Sequence, residues 1–241
     1  MNIAVQKITI WGDSVFKGVA LDPKTGKYNI LNQSCTELSS RETGVSFLNR
    51  ARFGCTVTKG LSIMRSDLHK QLDYNVAIIE FGGNDCDFDW AKISQNPDSE
   101  YDPKTPLPQF ISGIQQMVDE TRANGIEPVL TTLPPIEPHR FFATISKGLN
   151  PKAIMKWLGD VFLIYRWQES YSNAIAKLAI ENKCRILDFR GAFLQEKKYN
   201  QYLCDDGMHP NEKGHRLMAN VLDEFLKKYI NRGTVQKSQA G

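Results

Sequence analysis

Charge of one sign, paired cysteines, histidines and long apolar runs are all scarce in this 241-residue sequence, and each shortage excludes something. Thirty basic against 27 acidic side chains leave a formal net charge of +3. So small an excess gives no reason to expect nucleic acid or an anionic membrane as a partner. Lys and Arg gather into no block; the nearest approach is Lys227-Lys228, on the expected solvent face of a last helix. Five cysteines (Cys35, Cys55, Cys86, Cys184 and Cys204) are odd in number and lack paired spacing. That argues against a disulfide framework or a zinc site and for a reducing, cytoplasmic home. No apolar run approaches a membrane span, and residues 1–10 have one basic residue and no apolar core of the kind a secretory signal needs. Only four histidines are available to any chemistry that needs an imidazole: His69, His139, His209 and His215.

What is present is alternation. Residues 5–11, 75–81 (NVAIIEF), 127–133 (EPVLTTL) and 184–189 (CRILDF) read as short buried strands, with a fifth, weaker one at 51–53. Helical spacing fills 57–72, 109–123, 170–181 and 210–230. The last of these carries Leu217, Met218, Val221, Leu222, Phe225, Leu226 and Tyr229 on one stripe, with Pro210 placed to start it. Asp22-Pro23-Lys24-Thr25-Gly26 reads as a hairpin turn. There is no internal repeat. One domain over residues 1–231 is expected, followed by a polar, disordered tail at 232–241. Apolar strands alternating with helices predict an α/β, doubly wound fold with a parallel sheet covered on both faces.

Such sheets place ligands at the carboxyl ends of their strands. Gly12-Asp13-Ser14, Phe53-Gly54, Gly82-Gly83-Asn84-Asp85 and Leu133-Pro134 all fall there. Acyl transfer needs a nucleophilic oxygen, a base, a group that orients the base, and donors for the oxyanion. Ser14 opens a short helix with its own N–H unpaired; Gly54 offers a second N–H, and the Asn84 carboxamide a third donor. Asp206 precedes His209 by three residues, close enough for a tight turn to bring its carboxylate to Nδ1 and leave Nε2 for Ser14. The plain alternatives are Ser14 as a helix N-cap, Asn84 as a turn closer, and Asp206 with His209 as a surface capping pair.

These blocks resemble those of the SGNH hydrolases, also called GDSL esterases. Gly12-Asp13-Ser14 with Gly18 matches the nucleophile block, with Val15 where leucine is commoner. Residues 49–54 match the block of an asparagine leading to the oxyanion glycine, with Ala51 where glycine is usual. Gly82-Gly83-Asn84-Asp85 and Asp206-Gly207-Met208-His209-Pro210 match the other two. The resemblance implies a three-layer, flavodoxin-like fold with a central, mostly parallel five-stranded sheet. It also implies ester hydrolysis through an acyl-serine. The roles it carries over are Ser14 nucleophile, His209 base, Asp206 orienter, and Ser14 N–H, Gly54 N–H and Asn84 amide as oxyanion donors.

No cofactor is expected. Asp13, Asp85, Asp87 and Asp89 lack paired metal-ligand spacing and read as loop organisers. Segments 20–46, 86–108 and 134–168 exceed a minimal fold and are candidates for pocket walls. Their mixture of aromatic and polar residues suits a sugar face, so a short-chain, acetyl-type ester on a small molecule or oligosaccharide is the expected substrate. Trp157, Leu158, Val161, Phe162 and Leu163 serve equally well as a helix face packed on the core or on a second subunit of a homo-oligomer. A lysophospholipase or thioesterase, an acyltransferase and a non-catalytic binding module are the other classes left open.

Overall fold

The computed structural model describes residues 7–70 and 73–235, with side chains as far as residue 228. The chain runs β1 (Lys7–Trp11), α1 (Ser14–Lys17), β2 (Val19–Leu21), β3 (Tyr28–Ile30), α2 (Cys35–Thr43) and β4 (Ser46–Asn49). It continues with α3 (Val57–Leu68), β5 (Val76–Ile79), α4 (Trp90–Gln95), α5 (Leu107–Ala123) and β6 (Glu127–Thr131). Then come α6 (Pro138–Ile145), α7 (Pro151–Leu158), α8 (Phe162–Glu181), β7 (Arg185–Leu187), α9 (Phe189–Gln195), a 3-10 turn (Tyr199–Tyr202) and α10 (Glu212–Val235). Five strands form one sheet in the order β4-β1-β5-β6-β7, and every neighbouring pair is parallel. Counted along the chain this is the 2-1-3-4-5 order of a flavodoxin-like sheet, whose direction of winding reverses between β1 and β5.

The inner strands β1, β5 and β6 read as short apolar runs because they are buried on both faces. In β5 all four residues are buried, and their side chains alternate between two layers. Val76 and Ile78 join Phe16, Phe189 and Leu222 beneath α10, while Ala77 and Ile79 join Phe110, Met117 and Tyr171 beneath α5 and α8. Each fully buried aliphatic side chain contributes roughly 1.5–3 kcal/mol of transfer free energy. A third cluster (Phe88, Ile93, Ile136, Phe141, Ile154, Leu158 and Ile164) lies among α4, α6, α7 and the start of α8.

The expected hairpin is present: β2 and β3 pair antiparallel around Asp22, whose carboxylate accepts from the Lys24 N–H (2.8 Å) and the Thr25 hydroxyl (2.9 Å). Four expectations need correction. The fifth sheet strand is Ser46–Asn49, not 51–53. A ladder to β1 trails on only through the N–H groups of Arg50 and Arg52, which reach the Ile10 and Gly12 carbonyls. Pro210 does not start α10: it bridges to Leu203, and the Asn211 side chain caps the N–H groups of Lys213 and Gly214. The helix expected at 170–181 begins eight residues earlier, at Phe162. The boundary expected at residue 231 falls inside α10, which continues to Val235 because extending a formed helix costs little. Val5, residues 71–72, the Tyr229 side chain and residues 236–241 lie outside what is described. Among the described residues no helix is long and apolar enough to cross a membrane.

Candidate active site

The carboxyl ends of β1 and β5 meet where the sheet reverses, and the expected polar residues converge there. Gly12 leaves β1 with no side chain because the Glu80 carboxylate lies beneath it; a Cβ would come 2.7 Å from Oε2. Asp13 then caps α1, its Oδ1 accepting the Val15 N–H at 2.9 Å. Ser14 follows as the first helical residue, nearly buried, with its hydroxyl turned to the loop before α10.

That loop is a tight turn. The N–H of Cys204 bonds the His209 carbonyl, the N–H of Gly207 bonds the Cys204 carbonyl, and Gly207 sits at φ +76°. One oxygen of Asp206 accepts the N–H groups of Met208 (3.0 Å) and His209 (3.1 Å), and the other lies 2.7 Å from His209 Nδ1. His209 Nε2 lies 2.9 Å from Ser14 Oγ. The carboxylate opposite Nδ1 places the ring proton there and leaves Nε2 to accept from the serine hydroxyl. Burial pushes Asp206 up, but its bonds to His209 and the two N–H groups outweigh that and hold the carboxyl below its ordinary value. A continuous run of hydrogen-bond contacts therefore joins Ser14, His209 and Asp206.

Asn84 and Gly54 are brought to the same place. The Asn84 amide gives one N–H to Asp13 Oδ2 at 3.0 Å, which leaves its second N–H for another acceptor. Asn49 pins the Gly54 loop by donating to the Phe16 carbonyl (2.7 Å) and accepting from Ala51 (3.0 Å). Gly54 adopts φ +66°, a conformation that favours glycine, with open space where a Cβ would stand. Among the described residues neither the Ser14 nor the Gly54 N–H makes a hydrogen bond.

Asp13, Asp85, Asp87 and Asp89 are each occupied by protein donors. Asp13 holds Val15 and Asn84; Asp85 accepts the Val57 N–H; Asp87 accepts Trp90 Nε1 and Lys104 Nζ; Asp89 caps α4. Among the described residues no three His, Cys, Asp or Glu side chains are grouped to hold a metal ion. Cys55 and Cys86 pack into the core as small hydrophobes. His139 is exposed beside Glu137, and His215 is buried with Nδ1 accepting the Cys35 N–H at 3.2 Å.

Two features carry no signal that the sequence reading uses, the aromatics beside His209 and the acid Glu80, while the pocket walls expected from 86–108 and 134–168 are present in apolar form. The Tyr28 ring on the hairpin lies 5.2 Å from the His209 ring, and Phe53 stacks on it at 6.2 Å and 12°, so two partly exposed aromatics flank the imidazole. Burial first, and then the nearby Asp206 carboxylate, push the Tyr28 hydroxyl up to about 12. Glu80 is a buried acid ending an apolar strand, and that charged letter in NVAIIEF was the available signal. Last, an apolar cavity of about 230 Å³ starts at Gly83, beside Asn84, and is walled by Phe88, Trp90, Phe141, Trp157 and Trp167.

Residues 10–217 match the model of the GDSL-like lipase/acylhydrolase family. The isoamyl acetate-hydrolyzing esterase of Saccharomyces cerevisiae is 27% identical, over 93% of this chain and 89% of its own. A lipase/acylhydrolase from Enterococcus faecalis superposes with a TM-score of 0.66 at 17% identity, over 92% of this chain and 96% of its own. A variant of an acetyl-xylooligosaccharide esterase from Geobacillus gives 0.64 at 20%, over 94% and 96%. The match takes in the loops of Ser14, Gly54 and Asn84 and the histidine loop, and with it the chain belongs to the GDSL-like lipase/acylhydrolase family, as a carboxylic ester hydrolase.

Proposed function

We propose that the protein hydrolyses esters of short acyl groups, acetyl foremost, through an acyl-Ser14 intermediate. The observation that carries this is the run of contacts from Ser14 Oγ to His209 Nε2 (2.9 Å) and from Nδ1 to Asp206 (2.7 Å). Ser14 Oγ attacks the ester carbonyl while His209 takes its proton. The oxyanion rests on the Ser14 and Gly54 N–H groups and the free N–H of Asn84. The alcohol C–O bond then breaks as His209 returns the proton to the leaving oxygen. Water, deprotonated by the same imidazole, releases the acid from Ser14.

The names of two relatives, one acting on isoamyl acetate and one on acetylated xylooligosaccharides, support a short acyl group. For the other half of the ester, the cavity beyond Asn84 favours an apolar group over the sugar face that its aromatic residues first suggest. Phe88 and Trp157 meet edge to face at 5.0 Å, and Trp90 and Trp157 do so at 6.2 Å. Rings that pack on one another in this way offer no open platform, and Asp87 is the one charged residue in the lining. Its carboxylate is already engaged by Trp90 and Lys104.

Hydrolysis of p-nitrophenyl acetate, butyrate and octanoate, with Ser14→Ala as control, tests the acyl side. A second series of acetates, from methyl through isoamyl to acetylated xylobiose, tests the alcohol side. Preference for acetyl and for the apolar alcohols, abolished in Ser14→Ala, is the expected result. Preference for octanoyl would overturn the short-acyl assignment and favour a lysophospholipase or thioesterase. Turnover that survives in Ser14→Ala would overturn the mechanism.

A further inference from the structure

Behind the candidate nucleophile stands an acid that neither the proton path nor the oxyanion donors use. Glu80 follows β5 and is almost wholly enclosed. Its Oε2 accepts the Asp13 N–H at 3.0 Å; its Oε1 is buried without a partner. No ion pair reaches it among the described residues. The titratable groups around it are Asp13 and Asp85, on the loops after β1 and β5, and Cys35 at the start of α2, whose N–H is held by His215 of α10. None of these brings a positive charge to it.

Glu80 and Asp13 are neighbouring acids, both buried and joined through the Asp13 N–H on Glu80 Oε2. Two buried carboxyls so placed cannot both ionise, since each charge disfavours the other and burial disfavours both. The partners decide which one keeps the proton. Asp13 is surrounded by donors suited to an anion, the Val15 N–H and the Asn84 amide. Glu80 receives one N–H and has an idle oxygen. We propose that Glu80 is a positioning residue that stays protonated in the working enzyme and donates its carboxyl proton to Asp13. Asp13 can then carry a single, shared charge while it orients the Asn84 amide and caps the helix that begins at Ser14.

The arrangement matters for catalysis because Asp13 stands directly behind the candidate oxyanion donor. Asn84 has two amide hydrogens; one fixed on Asp13 sets the direction of the other. A second negative charge at Glu80 would repel Asp13 and oppose the charge that develops on the substrate oxygen. A shared proton removes that charge and keeps the hydrogen bond. Burial, the largest effect, and the neighbouring Asp13 both push the Glu80 carboxyl well above its ordinary range, in keeping with this assignment.

The effect on activity rests on the proposed function, but protonation itself is tested without it. In the full chain, Glu80→Gln keeps a carbonyl for the Asp13 N–H and supplies an N–H toward the Asp13 carboxylate, so it imitates the protonated acid. Thermal unfolding of both proteins is followed from pH 5 to pH 9. A Glu that must take up a proton to fold loses stability as pH rises above its unfolded pKa, and Gln does not. The Tm advantage of Glu80→Gln is therefore expected to grow steadily with pH; a difference independent of pH would overturn the proposal. Activity is read on p-nitrophenyl acetate over the same range. Glu80→Ala is expected to lose about tenfold to a hundredfold in kcat with KM little changed, the scale of a misplaced oxyanion donor, and Glu80→Gln to recover most of it. The acid limb of the Gln variant should overlay the wild-type limb, because no charge has been removed near His209. A limb displaced to lower pH would mean that Glu80 is ionised, and full kcat in Glu80→Ala would end its positioning role. Absence of wild-type turnover on every ester, with the Tm result as expected, would refute the proposed function and leave the protonated acid standing.

Discussion

Replacing Asn84 by alanine separates transition-state stabilisation from substrate binding. The amide holds Asp13 Oδ2 at 3.0 Å through one N–H, and in the proposed mechanism the other serves the oxyanion. Alanine removes both. Loss of one oxyanion donor costs about 3 kcal/mol in the barrier, or 10²–10³ in kcat. The ground-state carbonyl is less charged than the tetrahedral oxygen, so KM should change little. A second effect is built into the geometry. Asp13 is buried, and removing one of its donors leaves a carboxylate short of a partner, a loss of about 1–3 kcal/mol in stability. The assay is initial rates on p-nitrophenyl acetate over a range of concentrations, with thermal unfolding of the same samples at pH 7. The expected variant is folded, with a lower Tm and a kcat depressed at least a hundredfold. Full kcat, or a loss confined to KM, would refute the placement of Asn84 in the oxyanion site.

Further predictions concern the orienting acid, the buried histidine and the cavity. Asp206→Asn preserves shape and can still accept the Met208 and His209 N–H groups through its carbonyl, but its amide can then face Nδ1 and force the wrong tautomer; kcat should fall by about 10⁴ with the fold retained, and a tenfold loss or less would count against the proton path. Burial pushes His215 down to about 4 from the ordinary imidazole value near 6.5, so between those two pH values the unfolded chain binds a proton that the native chain refuses. Stability should therefore fall as pH drops from 6.5 toward 4, by about 3 kcal/mol, and denaturant midpoints should show this loss shrinking in His215→Gln; an unchanged loss would assign it to other groups. Leu163→Trp narrows the cavity and should raise KM for isoamyl acetate while leaving methyl acetate nearly unaffected; equal effects on both would place the alcohol group elsewhere.

How much of this was legible in the sequence depends on whether a feature is written locally. The Gly12–Ser14 turn, the Asn84 loop and the Asp206–His209 turn are short runs in which residue type and spacing are themselves the structure, so their convergence at one rim follows once the strands before them are placed. A parallel sheet helps here, since strands buried on both faces read as short apolar runs. β4 is illegible for the converse reason: it lies at the edge of the sheet, its residues alternate between exposed and half-buried, and SFLN carries no run to recognise. Tyr28 lies far from His209 in sequence and meets it only because the hairpin folds across the site, so no spacing encodes the contact. Trp90, Trp157 and Trp167 are visible as aromatics, but whether they form a sugar platform or a closed apolar cavity depends on how α4, α7 and α8 cross, which helical periodicity does not report.

Glu80 is the instructive case, because its anomaly was in plain view: a carboxylate ending an otherwise apolar strand is either a boundary or a buried acid. Gly12 resolves it. A glycine is needed at the end of β1 because the Glu80 carboxyl occupies the space a Cβ would take, so the first residue of the nucleophile block and the last charged residue before the asparagine block answer one contact. The two blocks are coupled through Glu80 and Asp13 as well as by sharing an edge of the sheet. A change at either position should therefore alter the other in a double-mutant cycle, whereas residues that merely share an edge would act additively.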